Sequence, residues 1–282
     1  MSNSMSTLAS IWRYPVKSMI GEELNATELT ESGVWGDRAY ALVDQQTNRV
    51  VSAKNPKKWP DFFACHARYA RPHDSQSGLA PVWIQLPDGR MVGSDQADVD
   101  QVLSLALKAQ VTLRQVAPAD PVLEQYWPER EGEAEAVTQE AMAGAAPVGS
   151  FFDYATVHIL TTATLASLQA LYPKSRFEPR RFRPNLIIAT DPAETGFVEN
   201  DWVGKTLRLG SDVILQVTDP CPRCVMPTLA QGDLPRDADV MRAILHNNVP
   251  VPFLDKPLPS VGVYARVVQG GRVLRGAAVR VE

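Results

Sequence analysis

Apolar residues in this chain seldom run long before a turn residue stops them, and that habit limits the fold more than any other feature. The stretch "LASIWRYPVKS" breaks at Tyr14-Pro15, "ATELTESG" alternates and ends on glycine, and "PVWIQLPDGRMVG" carries an Asp-Gly turn. "RAYALVDQQTNRVVSAK" has valines on both sides of a polar stretch at 45–48 and reads as a hairpin. Many short strands with frequent turn signals predict a small β-barrel in the first hundred or so residues. "DQADVDQVLSLALKA" then reads as a helix, with acidic residues early and Lys108 late to complement its dipole.

Residues 117–150 change character and become rich in Ala, Glu, Pro and Gly. They read as a linker or surface insert between two lobes, with a mostly helical stretch as the rival reading. The expected organisation is residues 1–116 as a β-barrel domain, 117–150 as the insert, and 151–282 as a second domain. In that second domain "VHILT" reads as a strand and "TTATLASLQALY" as a helix with threonine at its cap. "RFRPNLIIAT", "TLRLG" and "DVILQVTDP" read as strands, "DADVMRAILHNN" as a short helix, and the tail as a hairpin around Gly270-Gly271. The fold class is mostly β with some α: two β-rich lobes, the second with flanking helices.

A formal net charge of −4 argues against nucleic acid as the main partner. Three cysteines are too few for a disulfide scaffold and their odd number fits a reducing compartment, so a cytoplasmic protein is expected. The first ten residues lack a basic stretch followed by an apolar core, and no apolar run approaches a membrane span. Neither membrane nor nucleic acid is expected as a partner, and a monomer is favoured. A [2Fe–2S] cluster of the plant type needs four thiolates, more than this chain holds.

Two of the three cysteines lie in "DPCPRCVMPT", as Cys221 and Cys224. A zinc site would need two more ligands, drawn from Cys65, His66, His73, His158 and His246. Cys65 and His66 are neighbours in a strand pattern and point to opposite faces, so hardly both could serve. A thioredoxin-like pair belongs at the start of a long helix, whereas here Pro227 follows closely and no long amphipathic helix does. Two buried structural thiols are the plainest alternative. Against it, the pair flanks Arg223 on what reads as a strand-exit loop, where sites are commonly built.

Cations gather elsewhere despite the acidic total. "SRFEPRRFRPN" holds Arg176, Arg180, Arg181 and Arg183. Arg176 and Arg180 read as a solvated turn. Arg183 and Asn185 stand at the mouth of an apolar strand, which suits recognition of phosphate and of a polar heterocycle. Lys17-Ser18 after the Tyr14-Pro15 break offers an ammonium and a hydroxyl to an anion. Asp37-Arg38 lies just before another buried strand.

Tyr-Pro-Val-Lys-Ser at 14–18, Gly-Asp-Arg at 36–38, Phe-Arg-Pro-Asn at 182–185 and Cys-Pro-Arg-Cys at 221–224, in this order, resemble the MOSC family. The front half resembles the β-barrel domain that precedes MOSC in longer members, such as the amidoxime-reducing proteins of mitochondria and their bacterial counterparts. The resemblance runs through nearly the whole chain. It implies a molybdenum cofactor in its molybdopterin form, with Cys224 as metal ligand and catalytic centre. A soft thiolate agrees with such a thiolate-rich centre. It implies that Lys17, Ser18, Arg38, Arg183, Asn185 and Arg223 contact the cofactor, with Asp153 and Thr228 near it, and that Lys17, Arg38, Arg183 and Cys224 converge on a cleft. Cys221 is not a metal ligand in that pattern. Pro222 stands where the reductases often carry serine, which removes a hydroxyl, and Pro227 replaces a threonine-like position.

The implied activity is two-electron reduction of N-hydroxylated, small-molecule substrates. Electrons would come from an iron–sulfur or haem protein served by a flavin reductase. The alternatives are a persulfide carrier or transferase for metal–sulfur cofactor assembly, and a non-catalytic carrier of the molybdenum cofactor.

Overall fold

The computed structural model describes residues 6–127, 129 and 134–282. In chain order the strands are β1 (Thr7–Arg13), β2 (Glu22–Leu24), β3 (Ala26–Thr30), β4 (Gly33–Val34), β5 (Ala41–Asp44), β6 (His66–Tyr69), β7 (Val82–Gln85) and β8 (Met91–Gly93). Helix α1 (Val99–Leu107) precedes β9 (Val111–Arg114), β10 (Val122–Trp127), β11 (Ala136–Ala141) and β12 (Val157–Thr161). Helices α2 (Thr162–Leu171) and α3 (Pro179–Phe182) lead to β13 (Leu186–Ala189), β14 (Thr206–Leu209) and β15 (Val213–Pro222). Helix α4 (Asp239–Ile244) is followed by β16 (Asn248–Val251), β17 (Lys256–Gln269), β18 (Gly271–Leu274) and β19 (Val279–Val281). The fold is therefore mostly β with a few short helices, as the punctuated apolar runs imply.

The chain forms two compact units that do not divide at 116 and 150. The first unit takes residues up to Trp12, Glu23–Trp35 and Ala155–Glu282; the second takes Arg13–Glu22 and Gly36–Tyr154. Sequence position alone misleads here because β1 pairs with β13, roughly two-thirds of the chain away.

In the first unit the main sheet runs β19-β14-β15-β17-β12-β13-β1-β2, with β16 added to β17. The Leu8 amide donates to the Ala277 carbonyl at 2.9 Å, and the Gly276 and Val279 amides donate to the Leu8 and Ser6 carbonyls at 2.8 Å. These bonds join β1 to the segment entering β19 and close the strands between them into a barrel, with β2 and β16 left at its margins. Alternate residues point inward: Leu8, Ile11, Val157, Ile159, Leu186, Ile188, Leu215, Val217, Val263 and Ala265 share one core. β12 and β13 are parallel, so their connection crosses over through α2 and α3. Leu160, on the other face of β12, packs outside the barrel with Leu168, Phe182, Val240 and Ile244 from the three helices. Thr161 caps α2 by accepting from the Thr164 amide, the role its position in the sequence predicts.

Around Gly270-Gly271 the tail forms no hairpin of its own. β18 pairs antiparallel with β3, Gly271 opposite Leu29 and Leu274 opposite Ala26, while β17 pairs with β15, β12 and β16. A Cβ on Gly270 would lie 2.5 Å from the Leu29 carbonyl oxygen, so glycine lets the two backbones approach.

In the second unit β5 pairs with β9, β6-β7-β8 form an antiparallel meander, and β10 pairs with β11. Residues 117–150 thus contain a hairpin. Leu123 and Met142 are buried with Ala41, Val50 and Phe151, and the Val50 amide donates to the Val122 carbonyl at 2.9 Å. Glu124 accepts from Arg49 at 2.6 Å and from Asn55 at 3.1 Å. The described part of this stretch is built into its unit rather than tethering two lobes. Its Ala, Glu and Pro content conceals strands whose outer faces are exposed. Among the described residues no helix is long and apolar enough to cross a membrane.

Candidate cofactor site

In the second unit, the Gly-Asp-Arg segment is laced to the Tyr-Pro-Val-Lys-Ser segment. The Tyr14 amide donates to Asp37 Oδ1 at 2.7 Å and the Arg38 amide to the Tyr14 carbonyl at 2.8 Å. Tyr40 N donates to Pro15 O at 3.0 Å and Lys17 N to Tyr40 O at 2.8 Å. Ser18 and Arg38 both take left-handed backbone, with φ 64° and 47°. Such conformations cost a non-glycine residue energy and tend to occur where a site is shaped. Ser18 Oγ is occupied in the protein itself, accepting from the Ala53 amide at 3.2 Å.

The ammonium of Lys17 is buried. It donates to the Phe151 carbonyl at 2.8 Å and pairs with Asp153, whose other oxygen is 3.0 Å from Lys54 Nζ. Burial pushes the Lys17 ammonium down to about 8, against the pull of Asp153. Burial acts on Asp153 in the opposite sense but is outweighed by Lys17 and Lys54, which hold its carboxyl well below the usual carboxylate range. Arg38 pairs with Asp37 and lies over the Tyr14 ring at 4.7 Å. Desolvation alone would lower the Arg38 guanidinium; Asp37 overrides it, and the group stays charged. Three cations thus face two carboxylates, an arrangement with room for one further negative charge. Lys54 belongs to this cluster and escaped the sequence reading.

In the first unit, α3 organises the surroundings of Cys224. Arg183 closes that helix in left-handed backbone (φ 55°) and is buried. Asn185, also buried, is a clamp: Oδ1 accepts from the His158 amide at 3.1 Å and Nδ2 donates to the Trp12 carbonyl at 3.3 Å. Arg181 is almost wholly inaccessible. Its guanidinium donates to the carbonyls of Arg176, Pro227, Leu229 and Pro235 at 2.8–3.3 Å. It therefore anchors the loop that follows Cys224. Arg176 and Arg180, read as solvated, do sit outside, paired with Glu178 and Asp233.

Cys221 is buried within β15, whereas Cys224 lies just beyond the strand and is half-buried. All three cysteines are thiols. Burial pushes the Cys65 thiol up to about 12; Cys65 is fully buried while its neighbour His66 is exposed, the opposed faces expected of a strand. Arg223, between the paired cysteines, points into the protein. Its amide donates to Pro259 O at 2.8 Å, Nη1 donates to Phe182 O at 3.0 Å, and Nε and Nη2 donate to Val261 O at 3.0 and 2.7 Å. Thr228 Oγ1 donates to the Val225 carbonyl at 2.7 Å, closing the turn after Cys224.

The named residues therefore form two groups. Lys17, Ser18, Arg38 and Asp153 share the second unit; Arg183, Asn185, Arg223, Cys224 and Thr228 share the first.

Residues 147–280 match the MOSC domain, and residues 5–73 match the MOSC N-terminal beta barrel domain. The chain carries both MOSC domains. The MOSC match holds Asp153, Arg183, Asn185, Arg223, Cys224 and Thr228, and the N-terminal match holds Lys17, Ser18, Arg38 and Lys54. The chain is similar to mitochondrial amidoxime reducing component 2 of Rattus norvegicus, at 23% identity over 256 residues, which is 80% of this chain and 67% of that protein. Among solved structures it is similar to the YUAD protein from Bacillus subtilis, with 12% identity, 98% and 95% of the two chains covered and a TM-score of 0.46. It is also similar to YiiM from Geobacillus stearothermophilus, with 18% identity, 57% and 72% covered and a TM-score of 0.31.

Proposed function

We propose that this MOSC protein binds a molybdenum cofactor through Cys224 and acts as an oxidoreductase on N-hydroxylated small molecules. The observation that carries the reading is the solitude of the Cys224 thiol. Among the described residues no group of three His, Cys, Asp or Glu side chains is placed to hold a metal ion. A metal held by Cys224 must bring its other ligands with it, and a pterin dithiolene does so with two sulfurs. The donor set fits that cofactor and does not fit structural zinc.

When bound, the cofactor supplies two-electron reduction of an N–O bond. Cys224 is the residue proposed to hold the metal, at the half-buried end of a strand that the carbonyl bonds of Arg223 and Arg181 keep in place. Arg183 and Asn185 are assigned to the pterin and its phosphate, with Thr228 beside the turn. Lys17, Ser18 and Arg38 are assigned to anionic parts of the cofactor; Asp153 stands near the site by holding Lys17, and Lys54 joins them because it shares Asp153. Arg223 acts mainly by position, since its described bonds go to protein carbonyls and a histidine. Electrons come from a separate iron–sulfur or haem protein with its flavin reductase, because three cysteines cannot hold a four-thiolate cluster. A reducing compartment, the cytoplasm, suits three thiols.

Amidoxime reduction by the rat relative favours this substrate class. The test is protein purified from a cofactor-competent host. Molybdenum is measured by elemental analysis, and turnover of an amidoxime is followed with a reduced viologen as donor. The parent and Cys221→Ser should retain molybdenum and turnover; Cys224→Ser should lose both. A parent protein without molybdenum that carries a persulfide on Cys224 would replace this reading with sulfur transfer.

A further inference from the structure

We propose that residues 70–81 form an acid-released strap, held closed on the second unit by the neutral imidazole of His73. This loop joins β6 to β7, and it folds back so that the His73 ring lies against the Tyr69 ring, with centroids 3.9 Å apart. Both rings meet Arg13. Its Cζ lies over the Tyr69 ring at 4.5 Å, and its Nη1 is 3.5 Å from His73 Nε2. Glu22, on β2, holds another edge of the guanidinium: Oε1 accepts from Nε at 3.0 Å and lies 2.9 Å from Nη2. Arg13 is also buried, so it has little freedom to retreat from a charge placed on His73.

A neutral imidazole suits this place and an imidazolium does not. In the neutral ring a bare Nε2 faces Arg13, and the proton is assigned to Nδ1, 3.4 Å from the Arg71 carbonyl oxygen. Protonation sets a second cation beside the guanidinium. The repulsion follows from the distance between the two groups and needs no particular aim of the ring. The charged groups around the stack are Arg13 and Glu22 from β1 and β2, and Arg71 and Asp74 from the loop; Tyr69 on β6 brings a neutral ring. Neither carboxylate is idle. Glu22 also accepts from the Tyr69 amide at 3.4 Å, and Asp74 Oδ1 accepts from the Ser77 amide at 2.8 Å. Burial, then Arg13 and Arg71, push the His73 imidazole below its ordinary 6.5, against the Arg71 carbonyl and Asp74. Below 6.5 the closed loop therefore binds fewer protons than the open one, and closure weakens as pH falls.

The moving part is the loop and not β6. Tyr69 keeps its own anchor, with Oη donating to the Gly36 carbonyl at 2.8 Å. The strap supplies Leu79 and Pro81 to the wall of an open cavity of about 410 Å³, which Tyr40, Leu113 and Gln115 also line. Release takes away that wall, so acid exposes the surface beneath.

The test uses the whole chain and needs no cofactor. Cleavage within 70–81 by papain is compared with cleavage of a synthetic peptide of residues 70–83, which corrects for the protease's own response to pH. That ratio should rise about three- to fivefold from pH 8 to pH 5, the scale of one partly exposed charge contact. His73→Phe keeps an aromatic ring on Tyr69 without a titrating group, and its ratio should change by less than about 1.5-fold. In proton NMR, His73 is assigned by the resonance that His73→Phe lacks, and it should titrate below the same imidazole in the peptide. A flat ratio in the parent, an equal rise in His73→Phe, or titration at or above the peptide value would each overturn the proposal.

Discussion

Trp12 and Asn185 are bonded to each other twice: the Trp12 amide donates to the Asn185 carbonyl at 2.7 Å, and Asn185 Nδ2 donates to the Trp12 carbonyl at 3.3 Å. With Oδ1 on the His158 amide, one carboxamide ties β1, β12 and β13 together. Asn185→Ala should lower stability by about 2–4 kcal/mol, since it strands a buried amide and weakens a carbonyl's pairing. Urea unfolding should show a lower midpoint with an unchanged slope.

Gly262→Ala places a methyl group against His158 Nε2 and 2.5 Å from the Ile159 carbonyl oxygen, at a backbone angle that alanine resists. Loss of at least about 3 kcal/mol is expected. A calorimetric melting temperature equal to that of the parent would mean that His158 does not occupy this space.

Arg181→Met keeps much of the buried stem and removes donors to four carbonyls. The expected cost is about 2–4 kcal/mol. Hydrogen exchange should quicken at the amides of Thr228, Leu229, Gln231, Leu234 and Asp237, whose bonds define the loop after Cys224. Arg176→Ala, which removes exposed ion pairs to Glu178 and Asp233 and an exposed bond to the Asp233 carbonyl, should cost less than about 1 kcal/mol.

The lowered Lys17 ammonium makes a prediction in alkaline solution. Between about 8 and the ordinary 10.5 the folded protein binds fewer protons here than the unfolded chain does. Stability rises with pH wherever the unfolded state binds more protons, so this residue's contribution should improve across that window. Denaturant midpoints of the parent, measured against Lys17→Met, should gain steadily from pH 8 to 10.5. A difference that stays flat would place the ammonium in water.

Local signals carried much of this fold. β12, the Thr161 cap, α2 and β15 follow from apolar period and capping, which act within a few residues. Helix α3 escaped because four residues are too few to show a period. Nothing local gave Arg181 a role, because its acceptors lie as far along the chain as Pro235. The pairing of β18 with β3 is likewise non-local, and a Gly-Gly dipeptide shows only that the chain can turn.

The candidate site was legible as residue types and less so as roles. Lys17, Arg38 and Asp153 do come together, and so do Arg183, Asn185 and Arg223. Left-handed backbone at Ser18, Arg38 and Arg183 gave no sign in the sequence, since none of them is glycine. Lys54 carried no signal beyond being a lysine after a strand. The inward turn of Arg223 depends on Val261 and Phe182, which no spacing rule connects to it.

The barrel of the first unit has its earliest strand paired with β13 and with the segment before β19. At roughly 5–20 residues per second of synthesis, β1 waits about 10–35 s for Ile188 to be made. Through that interval Leu8 and Ile11 lack β13 and the rest of their core, with the short β2 alone beside them in the sheet, while the second unit can already be assembling from the intervening chain. The nascent protein is thus expected to depend on a holding chaperone at its N-terminal strand, and a fragment ending at 150 would keep β2 beside that strand but never supply β13.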